Sequence, residues 1–341
     1  MDSDRSLSFS ERIVARARGR RNILILTHDN PDPDALASAH ALAHLLLAKT
    51  GNSPRIACGG VIGRRENRTM VERLQIAVEP LARVDVRTFD LFCLVDAQPG
   101  TGNTSLSGQL PIDIIIDHHP LRCRSEDNQI VDIRPDYGAC ATILFEYLQQ
   151  QKVYLNSRLA TALFYAIRSE TQDLGREWTS PDRLAYQQLL LLSNNRVLFD
   201  IAHAKVPRSY FASFNQALES ARVYREALVF NLAQIPQPDI VAEMADFLLR
   251  MEGVHLVLGM GWHRGEEVLS LRTDREDWRA GTIIRQLVAE LGTAGGHGMI
   301  AGGQIRQVAG DVLAQNQLQQ LLTERLFTVL GYDPEAGEAL L

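Results

Sequence analysis

Three short apolar runs, each closing on acids or imidazoles, limit what this chain can become. Residues 22–26 (Asn-Ile-Leu-Ile-Leu) lead into Thr27-His28-Asp29-Asn30-Pro31-Asp32-Pro33-Asp34. Phe89-Asp-Leu-Phe-Cys-Leu-Val closes on Asp96, and Ile112-Asp-Ile-Ile-Ile closes on Asp117-His118-His119-Pro120. Runs of this kind, bounded by polar, proline-punctuated chain, read as buried parallel strands. Parallel strands share a direction, so their carboxyl ends lie along one side of the sheet, where open α/β sheets place ligands. An α/β fold is expected, with the groups at the three strand ends converging. Imidazole with carboxylates favours Mn²⁺, Mg²⁺ or another divalent ion over thiolate-dependent sites. Taken alone, Asp32 and Asp34 serve equally well as caps of a helix starting near Ala35. Repetition at two later strand ends is what favours a shared site.

Composition narrows the partners. A 341-residue chain of net charge -6 is long enough for two domains and argues against a large non-specific nucleic-acid surface. A small basic pocket for a phosphorylated substrate is compatible with it, so any nucleic-acid substrate is expected to be short and not a long duplex. No apolar run is long enough to cross a bilayer, so no membrane partner is expected. Cys58, Cys93, Cys123 and Cys140 show no CxxC spacing and read as buried free thiols of a cytoplasmic protein. The first twenty residues lack the apolar core of a secretory signal, and the stretch from Ser10 reads as a capped amphipathic helix.

Farther along, Ala35 to Lys49 is rich in helix formers and is ended by Gly51. His40 and His44 lie four apart on it but have no third ligand in view, and stay outside the site. Arg64, Arg65 and Arg68 suit either phosphate contact or a solvated loop. The helix from Asn156 finishes on Glu170-Thr171, and Ser180-Pro181-Asp182 starts another. Alternation then resumes: Ala227 to Ile235 as strand, Ile240 to Met251 as helix, Val254 to Met260 and Glu267 to Arg272 as paired strands, and Thr282 to Leu291 as helix. Ala294 to Ile305 reads as a glycine-rich turn holding His297, suited to close approach by an anion or simply to a tight helix-to-strand connection.

His28-x-Asn-Pro-Asp32-x-Asp34, Asp96 at a strand end and Asp117-His118-His119 resemble the successive motifs of the DHH phosphoesterases. That superfamily includes RecJ nucleases, nanoRNase/pAp phosphatases and family II inorganic pyrophosphatases. Ser270-Leu-Arg272 followed by Gly295-Gly296-His297 resembles the DHHA1 domain that accompanies DHH domains in RecJ and nanoRNases. The resemblance implies a doubly wound, mainly parallel-sheet DHH domain over residues 1–193, a helical linker over 194–225, and a smaller α/β DHHA1 domain with a mixed sheet over 226–330.

It further implies metal roles for His28, Asp32, Asp34, Asp96, His118 and Glu170, with Asp96 bridging two Mn²⁺ ions, Mg²⁺ or another divalent ion being the alternative. Glu170 stands where the family usually has Asp, which puts occupancy of both positions in question. Asp117 would orient a histidine, His119 would face the substrate, and Arg272, Gly295, Gly296 and His297 would bind it. The implied activity is hydrolysis of short oligonucleotides or 3'-phosphonucleotides such as pAp. An exopolyphosphatase or pyrophosphatase, and a nucleotide-binding protein of weakened catalysis, remain as alternatives, and a homodimer is left open.

Overall fold

The computed structural model describes residues 3–105, 110–122, 129–333 and 337–341, so Cys123 lies outside the described residues. The chain divides into two compact units, Met1–Lys205 and Val206–Leu341.

The first unit runs α1 (Ser3–Ala17), β1 (Ile23–Leu26), α2 (Pro33–Thr50), β2 (Arg55–Cys58), α3 (Arg65–Leu74), β3 (Val78–Pro80), β4 (Leu91–Val95), β5 (Ile114–Asp117), β6 (Ile130–Ile133), α4 (Cys140–Gln150), α5 (Ser157–Glu170), α6 (Ser180–Leu192) and α7 (Asn195–Ala202). Its six strands are all parallel and lie in the order β3-β2-β1-β4-β5-β6. Winding therefore reverses between β1 and β4, and the crevice at the carboxyl ends of those two strands is where such sheets bind ligands.

Side chains alternate across each strand, so one run supplies two cores. Ile23, Ile25, Cys93, Val95, Ile114 and Ile116 face a large core that takes residues from all seven helices. Leu24, Leu26, Phe92, Leu94 and Ile115 face the other way, against Leu81, Val84, Val86, Phe89 and Leu110 of the connecting segments. Burial on both faces explains why these strands are continuously apolar. Cys58, Cys93 and Cys140 are buried free thiols.

A buried polar network ties three elements of this unit together. Arg134, 1 % exposed, donates from Nη2 to Asp132 at 2.6 Å and from Nη1 to Glu146 at 2.9 Å. Tyr147 donates to Asp132, Tyr137 to Glu146, and Arg5 of α1 reaches Asp132 at 2.7 Å. Every charge here has an opposite partner, so removing Arg134 leaves Glu146 buried without a cation and Asp132 with Arg5 alone. Arg134→Met is expected to destabilise the protein by about 3–5 kcal/mol, read from urea unfolding monitored by circular dichroism.

The second unit contains α8 (Arg208–Ser220), β7 (Arg222–Tyr224), β8 (Ala227–Gln234), α9 (Asp239–Leu248), β9 (Leu256–His263), β10 (Glu266–Thr273), α10 (Ala280–Leu287), β11 (Gly292–His297), β12 (Ile300–Arg306), α11 (Val312–Leu330) and β13 (Glu338–Ala339). Its seven-stranded sheet, in the order β11-β12-β10-β9-β8-β7-β13, is mixed: β8 and β9 pair in parallel and the other neighbours are antiparallel. α10 and α11 cover one face and α8 and α9 the other.

One expectation needs correcting here. The glycine-rich stretch is no simple turn: it forms the antiparallel pair β11 and β12, in register from Gly292↔Ile305 to His297↔Ile300. Glycine carries little strand propensity, so sequence pattern hides this pairing. The missing side chains instead let α10 press on β11, where a Cβ on Gly281 would collide with the Gly296 carbonyl. Among the described residues no helix is long and apolar enough to cross a membrane.

Candidate metal centre

The site lies at the reversal between β1 and β4. Asp96, immediately after β4, adopts a left-handed backbone (φ 56°), a conformation that Asp tolerates better than most residues. Its amide is still bonded to Ile116 O at 2.9 Å, and its side chain is almost wholly buried. Three histidines approach it: His28 Nε2 lies 3.6 Å from Oδ2, His118 Nε2 lies 3.5 Å from Oδ1, and His119 Nδ1 lies 3.8 Å from Oδ1. His28 Nε2 is also 3.9 Å from Asp32 Oδ1, and His118 Nε2 is 3.8 Å from Asp34 Oδ2.

The backbone fixes which ring atoms face inward. Nδ1 of His28 donates to Asp29 O (2.8 Å) and Nδ1 of His118 donates to Tyr137 O (3.1 Å). With Nδ1 engaged, Nε2 of each ring is the atom offered to the carboxylates, the arrangement that metal-binding histidines adopt. Asp34 is held more tightly still: its two oxygens accept the amides of Cys140 (2.7 Å) and Ala141 (2.8 Å) at the start of α4. Asp32 caps α2 by accepting the Ala35 amide at 3.0 Å. Capping and metal ligation were alternatives on sequence alone, and the geometry lets Asp32 do both.

Asp96 Oδ1 is buried and has no hydrogen-bond partner. A buried carboxylate oxygen left in that state is costly unless a cation completes its surroundings. The electrostatics of the neighbouring groups agree. Burial, with the charges of Asp96, Glu170 and Asp32, raises Asp34 well above the usual carboxylate range. Glu170, half-buried at the end of α5, is pushed up to about 7 by burial and by the nearby Asp32 charge. Although burial opposes it, the carboxylates of Asp32 and Asp96 hold His28 protonated well above its ordinary range. Nitrogen and carboxylate donors crowded around an unsatisfied oxygen fit one or more divalent cations.

Asp173, the other acid near the end of α5, is drawn away by Arg168 (2.7 Å) and Tyr186. Burial lowers His40 to about 4, while His44 bonds to Tyr154 O. Arg65 and Arg68 donate to the carbonyls of Lys205 and Ile62.

Residues 22–167 match the DHH family, N-terminal domain, and residues 226–326 match the DHHA1 domain. The chain carries a DHH domain followed by a DHHA1 domain. An uncharacterized protein of Methanocaldococcus jannaschii is 32 % identical over 325 residues, covering 92 % of this chain and 65 % of the relative. A probable manganese-dependent inorganic pyrophosphatase of Lactiplantibacillus plantarum is 22 % identical over 43 % of this chain and 47 % of its own length. The chain thus spans less than two thirds of either relative. The crystal structure of an exopolyphosphatase-related protein from Bacteroides fragilis superimposes with a TM-score of 0.74 at 14 % identity, covering 96 % of this chain and 98 % of that one. It shares the fold.

Within this DHH unit, one residue that sequence reading passed over is Gln98. It is 1 % exposed and donates to Asp117 Oδ2 at 2.7 Å while its carbonyl accepts the Arg122 amide at 2.7 Å. Asp117 in turn accepts His119 Nδ1–H at 2.8 Å. Through this contact, and despite its own burial, His119 is raised to about 9. Only its position two residues beyond a strand-ending acid hinted at Gln98.

In the DHHA1 unit, Arg272 is mostly buried and donates from Nε to Asp246 at 2.6 Å. Register aligns Ser270 with Gly302 and Gly295, and Arg272 with Ile300 and His297, across β10, β12 and β11. A Cβ on Gly295 would meet nothing within 4 Å, whereas one on Gly296 would strike Ala301 at 2.5 Å. The side chain of His297 lies outside the described residues.

Three outcomes follow from this geometry. A cation binding here displaces the protons on His28, Asp34 and Glu170, so Mn²⁺ affinity should rise with pH, by about tenfold per unit for each proton released. Isothermal titration between pH 6 and 8, in buffers of different ionisation enthalpy, counts those protons. A raised folded-state pKa adds stability that is lost as pH rises through it. The metal-free protein should therefore lose stability as pH climbs from 4.5 towards 7, and Mn²⁺ should restore it. Gln98→Leu should weaken metal affinity or activity about 10–100-fold, with thermal melting as the control for folding.

Proposed function

We propose that the chain is a divalent-metal-dependent phosphoesterase that hydrolyses short oligonucleotides or 3'-phosphonucleotides such as pAp. One observation carries the reading: imidazoles from the ends of β1 and β5 lie 3.5–3.8 Å from the Asp96 carboxylate, and one buried oxygen of that carboxylate has no protein hydrogen-bond partner. In this reading His28, Asp32, Asp34, Asp96, His118 and Glu170 would hold two Mn²⁺ ions. Bound divalent ions supply charge that neutralises phosphoryl oxygens and makes a water easier to deprotonate for in-line attack. The manganese-dependent pyrophosphatase relative supports the choice of metal.

The chain's own groups do the rest. Asp117 holds His119 by Nδ1, leaving Nε2 for the substrate, and the raised pKa keeps the ring protonated at neutral pH. Protonated His119 then donates to the phosphoryl group or to the leaving oxygen. In the second unit, the open space over Gly295, the buried Ser270 hydroxyl without a partner and the neighbouring Arg272 suit a further phosphate of the substrate. Gly296 serves packing, since its space is filled.

The same pyrophosphatase relative favours one rival, a pyrophosphate or polyphosphate hydrolase. Assay with Mn²⁺ against a dinucleotide, pAp, pyrophosphate and polyphosphate separates them. Turnover of the first two supports the proposal, whereas turnover of pyrophosphate or polyphosphate alone overturns it. Flat curves on all four, with pAp bound, leave a nucleotide-binding protein. Arg272→Gln should raise KM at least about tenfold while changing kcat less.

A further inference from the structure

The nine residues between α5 and α6 are unusually constrained. Gln172, Asp173, Leu174 and Glu177 have φ of 47°, 57°, 63° and 45°, a region that side chains other than Gly, Asn and Asp seldom occupy. Such strain persists only where surrounding structure enforces it. Here the enforcement is visible. Thr171, fully buried, accepts at its carbonyl the amides of Gly175 (2.9 Å) and Arg176 (3.1 Å). Arg176 is thereby folded back onto the residue next to Glu170.

The same loop is clamped to the wall of the metal centre. Gly138 packs so closely that a Cβ on it would lie 2.5 Å from Glu177 O and 3.0 Å from Thr171 Cγ2. Asp182, fully buried, accepts the amides of Gly138 and Thr179, both at 2.8 Å, and the Thr142 hydroxyl. Gly138 directly follows Tyr137, whose carbonyl orients His118. Any shift of the loop would therefore disturb the centre.

On this loop the Arg176 guanidinium is conspicuous for what it lacks. Its Nε is buried and has no hydrogen-bond partner, and no ion pair to it is formed among the described residues. The neighbouring Arg168, by contrast, is paired with Asp173. A half-buried arginine whose main chain is held at the residue after Glu170, and whose Nε bonds to no protein acceptor, suits an acceptor that arrives from outside. A guanidinium's planar fork matches phosphoryl oxygens.

We propose that Arg176 contacts the substrate, donating to non-bridging oxygens of the phosphoryl group that is cleaved. The inference rests on the phosphoesterase reading. A simpler role, balancing the charge of the carboxylates, predicts something different: loss of the cation would then tighten Mn²⁺ binding and leave phosphate binding alone.

The test compares wild type, Arg176→Gln and Arg176→Lys, each loaded with Mn²⁺. Titration of inorganic phosphate and steady-state kinetics on whichever substrate the wild type turns over are read together with Mn²⁺ affinity. Arg176→Gln should weaken phosphate binding and raise KM by at least about tenfold, with Mn²⁺ affinity little changed and Arg176→Lys recovering part of the loss. Unchanged phosphate affinity and KM overturn the proposal, as does a loss that merely follows a change in Mn²⁺ affinity. If the wild type hydrolyses nothing, the phosphoesterase reading fails while the phosphate titration still decides Arg176. Should the variants not fold, phenylglyoxal labelling of the Mn²⁺-loaded wild type replaces them. Protection of Arg176 by inorganic phosphate, read by mass spectrometry, supports the contact, and equal labelling with and without phosphate overturns it.

Discussion

Mutual repulsion among Asp32, Asp34, Asp96 and Glu170 is the constraint around which the first unit is arranged. Asp34 and Asp96 are buried, and burial together with the neighbouring negative charges raises the cost of ionising Asp34 and Glu170. Protons on His28 and on the acids relieve the crowding, but only by giving up negative charge that a multivalent cation would use. A protein selected for stability alone has no reason to gather such groups at one strand edge. Their cost is borne by the scaffold, whose continuous Ile and Leu strands fill two cores.

The scaffold also sets the direction of each donor, and it does so mostly with main chain. Carbonyls of Asp29 and Tyr137 aim two imidazoles, and amides at the start of α4 hold both oxygens of Asp34. Backbone groups cannot swing to another rotamer, so the donors are preorganised to the accuracy of the sheet itself. At the His119 end the support comes from side chains, with Gln98 and Asp117 acting in series.

Much of this was legible in the sequence because two signals coincided. Apolar runs gave β1, β4 and β5, and the polar residues terminating them gave His28, Asp32, Asp34, Asp96 and His118, which the structure brings together. The supports were not legible. Tyr137 acts through its carbonyl, which any residue carries, and Gln98 is a single amide without periodicity. The pairing of β11 with β12 was masked because Gly295, Gly296, Gly302 and Gly303 carry no alternating pattern to read. Arg176 escaped notice because nothing in its immediate neighbours marks a loop whose position is dictated by Gly138 and Asp182 across the fold.

The unequal anchoring of the acids has a consequence for ion choice. Asp34, clamped by two amides, keeps its oxygens at fixed coordinates, while Asp32 and Glu170, partly open to solvent at the start and end of their helices, retain freedom to advance or retreat. A cage with one stiff wall and one yielding wall imposes a strict radius on a cation seated against the first and tolerates a range of radii beside the second. Glu170 would widen that tolerance, since its side chain is one methylene longer than that of an aspartate.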